Sequence, residues 1–361
     1  VVGSYLFISP IFLAPPREHC KHTILRSNAK YSKINVLRTL ILLYLPTRSE
    51  FSAAAVAPAE GIADRLATWE RPVVTDYELG ALLCAALPAA DAAIEPGVYK
   101  AIVDRLSSFH LISPAKEFKS GAVFQLFGRP KPSAMEVACA VDPFACVTHL
   151  SAMEFHGLTD RFSKILYLTT PPDKEWREQA QERMARDLGQ HMAVHRAARL
   201  PMLRYLGFER VEGVRVELMR RSSRGAFKAI KSPAIRVAMV GRVFLDMVRE
   251  PDNCGGMQHV VDAYREYGSQ YLSLILDEID RHGKPIEKVR AGYLLESVCR
   301  IQHPRIDGWK DFAQRGGSRM LDPQGEYAPT FSEAWKLSIN VPSLLTNGRG
   351  GEGQAGEDMG G

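Results

Sequence analysis

The 361-residue sequence is 46% apolar with a net charge of +5 at pH 7, which suits two or three globular units with substantial cores and excludes a chain that is disordered as a whole. The basic excess is no argument for nucleic acid, because seven Lys/Arg against two Asp/Glu in residues 1–50 supply all of it. Six cysteines without a CxxC pair or a zinc spacing exclude a zinc-finger class and fit a reducing, cytoplasmic setting.

Residues 1–58 read as an N-terminal extension outside the folded protein. Its apolar stretches, 5–16 and 34–46, are too short for an ordinary membrane span and are interrupted by prolines, and no secretory signal is evident. From about Ala59 to Trp69 a helix is expected, with Ile62, Leu66 and Trp69 on one face. Thr75 and Glu78 stand in capping-box spacing, and Leu79, Leu82, Leu83 and Ala86 follow at helical intervals. Pro96 suits the first turn of a further helix that buries Val98, Ile102, Leu106 and Phe109 and turns Tyr99, Lys100, Asp104 and Ser107 outward. Leu111 and Ile112, then Ala122 to Phe127, predict a β-hairpin with Lys116 and Lys119 near its tip.

This order of helix, helix and basic hairpin, over 75–127, predicts a winged helix-turn-helix DNA reader occupying 59–132. In such a reader one helix meets base edges while the wing touches phosphate. Two details run against the pattern. Asp104 repels phosphate wherever it points at DNA, and the connection from Pro88 to Glu95 is longer than a tight helix-turn-helix turn.

GRPKP, over 128–132, breaks any regular element and marks the boundary to a second unit over 133–342. There the patterns predict helices at Ser133–Cys139 and from Thr148, the latter closed by Gly157. A strand is expected at Lys164–Thr169, a charged helix at Asp173–Asp187 and a strand at Gly213–Met219. The run Ile235–Val240 leads into an apolar helix, and helices follow at Met257–Tyr267, Tyr271–Arg281 and Ile286–Cys299. The fold class is therefore α/β in the broad α+β sense, a winged helix followed by a larger mixed domain with a helical end and a flexible Gly-rich tail over 343–361. Residues 161–249 hold 19 Lys/Arg against 9 Asp/Glu. This excess, centred on Arg196, Arg199, Arg204, Arg210, Arg220, Arg221, Arg224, Lys228 and Lys231, suits a nucleic-acid backbone, an acidic partner or a solvated helix face and loop.

Two blocks carry a resemblance to a family. THLSAMEFHGLTDR, over 148–161, resembles the helix that follows the DNA-binding domain in AbiEi-type antitoxins of bacterial abortive-infection systems. GRVFLDMVREPDNCGGMQHVVDAYREYG, over 241–268, together with VRAGYLLE, over 289–296, is similar to that family as well, and with the reader the resemblance spans roughly 59–342. It implies an autorepressor that binds operator DNA and antagonises a nucleotidyltransferase-like toxin, with or without direct contact. It further implies DNA-contact candidates Lys100, Arg105, Lys116 and Lys119, and places His149, His156, Arg242, Asp246 and Arg249 in the antitoxin domain. Tyr99 and Ser107 join the DNA candidates from the outward face of the reading helix.

No catalytic residue, cofactor or metal site is expected. His149 and His156 share a helical face, but seven-residue spacing is not a usual chelate, and the better-spaced His191 and His195 lack a third ligand. Asp104 with Glu117 and Lys119 fits an acidic nuclease spacing on paper, yet falls inside the proposed reader. Asp246 can pair with Arg242 four residues before it or Arg249 three after. Two rivals remain: a winged-helix regulator whose second domain senses a ligand or dimerises, and a metal-dependent nuclease.

Overall fold

The computed structural model describes residues 61–345 apart from 88, 90, 91, 120, 223, 224, 231–233 and 315–318. The expected extension over 1–58 lies outside the described residues. The short helix Pro342–Leu345 takes up the first residues of the expected tail, and the rest of that tail lies outside them too. The fold is mixed α/β.

After a helix over 61–67 come strand β1 (Val73–Thr75), helices α1 (Asp76–Ala85) and α2 (Val98–Ser108), and strands β2 (Ile112–Pro114) and β3 (Val123–Leu126). β1 escapes the sequence patterns because three residues are too few to show a period. It pairs antiparallel with β3, which pairs antiparallel with β2, giving the order β1-β3-β2. The capping box at the start of α1 forms in full, with the Glu78 N–H donating to Thr75 Oγ1 at 3.3 Å and the Thr75 N–H donating to the Glu78 carboxylate at 3.0 Å. α2 departs from expectation at its start. Gly97 turns the corner at φ +89°, a left-handed conformation that suits glycine, so Pro96 stands ahead of the helix rather than in its first turn.

The larger part is built on a six-stranded mixed sheet ordered β6-β7-β5-β4-β9-β8. Its strands are β4 (Cys146–Val147), β5 (Ile165–Thr170), β6 (Arg210–Val211), β7 (Val214–Arg220), β8 (Phe227–Ile230) and β9 (Ile235–Ala238). Helix α3 (Ala134–Val141) precedes the sheet, α4 (His149–His156) joins β4 to β5, and α5 (Asp173–Leu188) and α6 (Met192–Ala197) lie in the crossover between the parallel strands β5 and β7. A helical end follows: α7 (Val240–Arg249), α8 (Met257–Tyr267), α9 (Leu272–His282) and α10 (Pro285–Tyr293), which runs into a π-helical turn over Leu294–Val298. Phe244 of α7 meets the Tyr264 ring edge-on at 4.9 Å, and the Tyr264 hydroxyl donates to the Phe244 carbonyl at 3.0 Å. Among the described residues no helix is long and apolar enough to cross a membrane.

Two apolar cores organise these elements, and neither respects a boundary near residue 130. One gathers Ile62, Tyr77, Leu79, Ile102, Leu106 and Phe124 around Met184, Leu188 and Leu200 from the β5–β7 crossover. The other, the main core of the sheet and its helices, takes in Val73, Ala115, Phe118 and Val123 from the first part. Helix α1 shows the effect. Its sequence predicts one apolar face, but Asp76, Tyr77, Glu78 and Gly80 are buried along with its leucines, because α5 and α6 cover the opposite side. The charges so covered find partners: Asp76 accepts from Arg204 at 2.8 Å, Glu78 from Arg183 at 3.2 Å, and Tyr77 donates to Asp187 at 3.1 Å.

Candidate nucleic-acid interface and a buried ion-pair cluster

Helix α2 buries Ile102 and Leu106 and exposes Lys100, Asp104 and Ser108 at four-residue intervals, so one polar stripe runs along its outer side. Tyr99 does not belong to that stripe. It is half-buried, its hydroxyl donates to the Asp76 carbonyl at 3.1 Å, and burial, with the Asp76 charge behind it, pushes the phenol above its ordinary range. Position 99 follows the half-buried Val98 and, like it, packs against the core, where an aromatic body is covered and its polar tip finds an acceptor. Ser107 is likewise half-buried. Arg105 lies half-buried with its guanidinium 4.3 Å from the centre of the Phe109 ring. Of the expected outward residues, Lys100 and Asp104 are the exposed ones.

The hairpin between β2 and β3 alternates in a useful way. Ala115 and Phe118 are buried, whereas Lys116, Glu117 and Lys119 are exposed. Phe118 meets Phe208 edge-on at 5.8 Å. The Glu117 carboxylate accepts from the backbone N–H groups of Glu212 at 2.7 Å and Gly213 at 2.8 Å. Those two residues have φ of +49° and +78°, and such a turn aims successive N–H groups at one point, a natural anion nest. The hairpin tip is thus pinned to the β6–β7 turn with its acid occupied. Lys116 and Lys119 have no partner among the described residues.

The second set of candidates sits around the C-terminal end of α7. His149, 1% exposed, holds φ +51°, a strained value for a residue with a Cβ. Its Nε2–H donates to Glu250 at 2.8 Å, and its Nδ1 lies 3.0 Å from Thr148 Oγ1, which in turn lies 3.2 Å from Thr169 Oγ1. Arg221 closes on the other Glu250 oxygen. Burial opposes the Glu250 charge, but the hydrogen bond and charge of His149, with Arg221 behind them, prevail and hold the carboxyl at about 2. His156 points elsewhere and donates from Nε2 to the Ala238 carbonyl at 2.7 Å.

Arg242 donates to Asp246 at 2.8 Å, both side chains being 1% exposed. Arg249 turns away from Asp246 and grips both Glu287 oxygens, at 2.6 and 2.8 Å. Glu250 and Arg221 are therefore central, yet nothing local in the sequence marks them, since their side-chain partners are 29 and 101 residues distant; Glu287 meets Arg249 from 38 residues away while also capping its own helix through the Lys284 N–H at 2.7 Å. Of the basic excess over 161–249, Arg204, Arg220 and Arg221 are spent on Asp76, Asp173 and Glu250. Arg224 and Lys231 lie outside the described residues. No group of three or more His, Cys, Asp or Glu able to hold a metal ion occurs among the described residues. His195 is fully buried with neither ring nitrogen hydrogen-bonded.

No protein-family model matches the chain, and no curated protein matches it. Among solved structures it is similar to the crystal structure of the RV2827C protein from Mycobacterium tuberculosis, at 14% identity and a TM-score of 0.45, over 81% of this chain and 95% of that one.

Proposed function

We propose that the protein is a cytoplasmic DNA-binding autorepressor and antitoxin, in which a winged helix over about 59–132 reads operator DNA and the remainder opposes a nucleotidyltransferase-like toxin. One observation carries the DNA half: Lys100 and Ser108 on the exposed side of α2 accompany two lysines without partners among the described residues, on a hairpin whose acid near the tip is held in a backbone nest, and Asp104, between Lys100 and Ser108, is the residue that opposes it. The element order, with a three-stranded sheet ordered β1-β3-β2 behind two helices, agrees with that reading. In this arrangement α2 enters the major groove, with Lys100 and Ser108 toward base edges and Lys116 and Lys119 on phosphates.

The antitoxin half is supported by the resemblance of 148–161 and 241–268 to AbiEi-type proteins. These two blocks are in contact through His149 and Glu250, through Thr159 and His259 at 2.9 Å, and through Arg161 and the Gly255 carbonyl at 3.0 Å.

Fluorescence anisotropy of the intact chain with its own upstream DNA, over a range of salt, tests the first half. Lys116→Ala and Lys119→Ala should each weaken binding across sequences and flatten the salt dependence by about one counterion. A salt slope unchanged in both variants removes the wing from the interface. Co-expression of the intact chain with a nucleotidyltransferase-like product of a neighbouring reading frame, scored by growth, tests the second half, and failure to rescue removes it.

A further inference from the structure

The face of α5 that does not pack on α1 borders a groove of about 360 Å³, closed on its other side by the extended segment Leu203–Tyr205. The floor is apolar, formed by Trp176, Ala180 and Met184, which are buried. The Trp176 ring is held rigidly, with its Nε1–H donating to Asp142 at 3.0 Å and Tyr205 edge-on at 5.9 Å. Two guanidiniums line the same groove. Arg204 is paired with Asp76, whereas Arg177 is exposed and has no partner among the described residues. The acid at the groove, Asp173, is already taken by Arg220, which also lies over the Tyr205 ring at 4.7 Å. An apolar, aromatic-lined floor with one uncompensated cation at its edge is complementary to a small planar molecule bearing one negative charge.

We propose that this groove is an effector site for a small aromatic carboxylate, and that its occupation weakens DNA binding. The ring lies on Trp176 and Met184, and the carboxylate is met by Arg177 and Arg204. The second clause rests on the reading of α2 as the DNA reader, and the first does not. The coupling runs through Arg204. Its Nη2 is 2.8 Å from the Asp76 carboxylate, Asp76 is the 6%-exposed first residue of α1, and the Asp76 carbonyl holds the Tyr99 hydroxyl of α2 at 3.1 Å. A ligand carboxylate that draws Arg204 to itself leaves a buried Asp76 charge without its partner, which disfavours the present seat of α2 on α1. Linkage then requires DNA to weaken ligand binding by the same factor that ligand weakens DNA binding.

Benzoate is the probe, with benzyl alcohol as its uncharged counterpart and acetate as the charge without the ring. Binding to the intact chain is followed by saturation-transfer NMR and tryptophan fluorescence. The expected result is saturable benzoate binding on the order of millimolar, as suits a fragment, about tenfold weaker in Arg177→Gln, with no saturation by acetate or benzyl alcohol. Arg177 is exposed and partner-free, so that variant folds even where Arg204→Gln does not. Absence of saturable benzoate binding, equal affinity in Arg177→Gln, or equal binding of benzyl alcohol overturns the site. With the site saturated, the Kd for upstream DNA should rise about three- to tenfold. An unchanged Kd overturns the coupling alone. A chain that binds benzoate and no DNA overturns the reader and the coupling together and leaves the site standing.

Discussion

Replacing Glu250 by Gln should lower the stability of the protein by about 2 kcal/mol at neutral pH, and the loss should shrink in acid. The wild-type carboxyl titrates at about 2 instead of the ordinary 4.5, a difference equivalent to about 3 kcal/mol. Glu250 and Arg221 are 26% and 30% exposed, so solvent screening trims the figure to about 2 kcal/mol. Gln retains an oxygen able to accept from His149 and removes only the charge. Ala also strands the buried imidazole N–H, which adds roughly 1 kcal/mol or more. The sign follows from the direction of the shift. A carboxyl whose folded value lies below its unfolded value contributes fully above about 4.5, and the contribution drains away as the pH falls toward about 2. Urea unfolding of wild type and Glu250→Gln at pH 7, 5 and 3.5 measures this. The gap between the two should be constant from pH 7 to 5 and visibly smaller at 3.5. A gap under about 0.5 kcal/mol at pH 7, the level of an ordinary surface pair, or a gap unchanged at pH 3.5, refutes the reasoning.

Three further outcomes are expected. Gly292→Ala places a methyl group 2.1 Å from the Trp335 ring, which a 2.7 Å hydrogen bond to Glu296 keeps from swinging away, so it should cost about 2–3 kcal/mol in urea unfolding; Gly308→Ala, in the helix Pro304–Trp309 with nothing within 4 Å, is the control and should leave stability unchanged or raise it by up to about 1 kcal/mol. Burial lowers the His195 pKa below 6.5, so below that pH the unfolded chain takes up a proton that the folded chain refuses, and stability falls with acid. His195→Leu should flatten that decline between pH 7 and 5 without loss at pH 7, and an unaltered slope counts against it. Glu117→Gln should speed amide exchange at Glu212 and Gly213, since it loosens the nest that holds the hairpin tip, and under the proposed DNA reading it should weaken DNA binding several-fold although Lys116 and Lys119 remain; equal DNA affinity shows that the clamp does not orient those lysines on DNA.

What the sequence discloses is local. The Thr75–Glu78 capping box and the left-handed Gly157 that closes α4 are legible because a few consecutive residues contain all the physics. Strands β1, β4 and β8, of two to four residues, are not legible, because what makes each a strand is a neighbour distant in sequence. Tyr99 shows the same limit at a candidate site: helical spacing turns it outward, whereas its hydroxyl reaches the Asp76 carbonyl on α1. The choice facing Asp246 is similar. Both flanking arginines satisfy the spacing, and Arg249 is drawn off by Glu287 on a different helix. His149 is recognisable as a residue of interest, but its carboxylate partner lies 101 positions away.

The crossover helices give the molecule a property that a boundary drawn at 128–132 conceals. Met184, Leu188 and Leu200 share a core with residues before that boundary, and Phe118 and Val123 share one with residues after it. Cutting the chain there bares apolar surface on both fragments. The two proposed roles, set on such an interlocked pair, are therefore not separable by cutting the chain. Single-residue changes on the exposed stripe of α2 or at the α7 terminus are the tools that test the proposed roles one at a time.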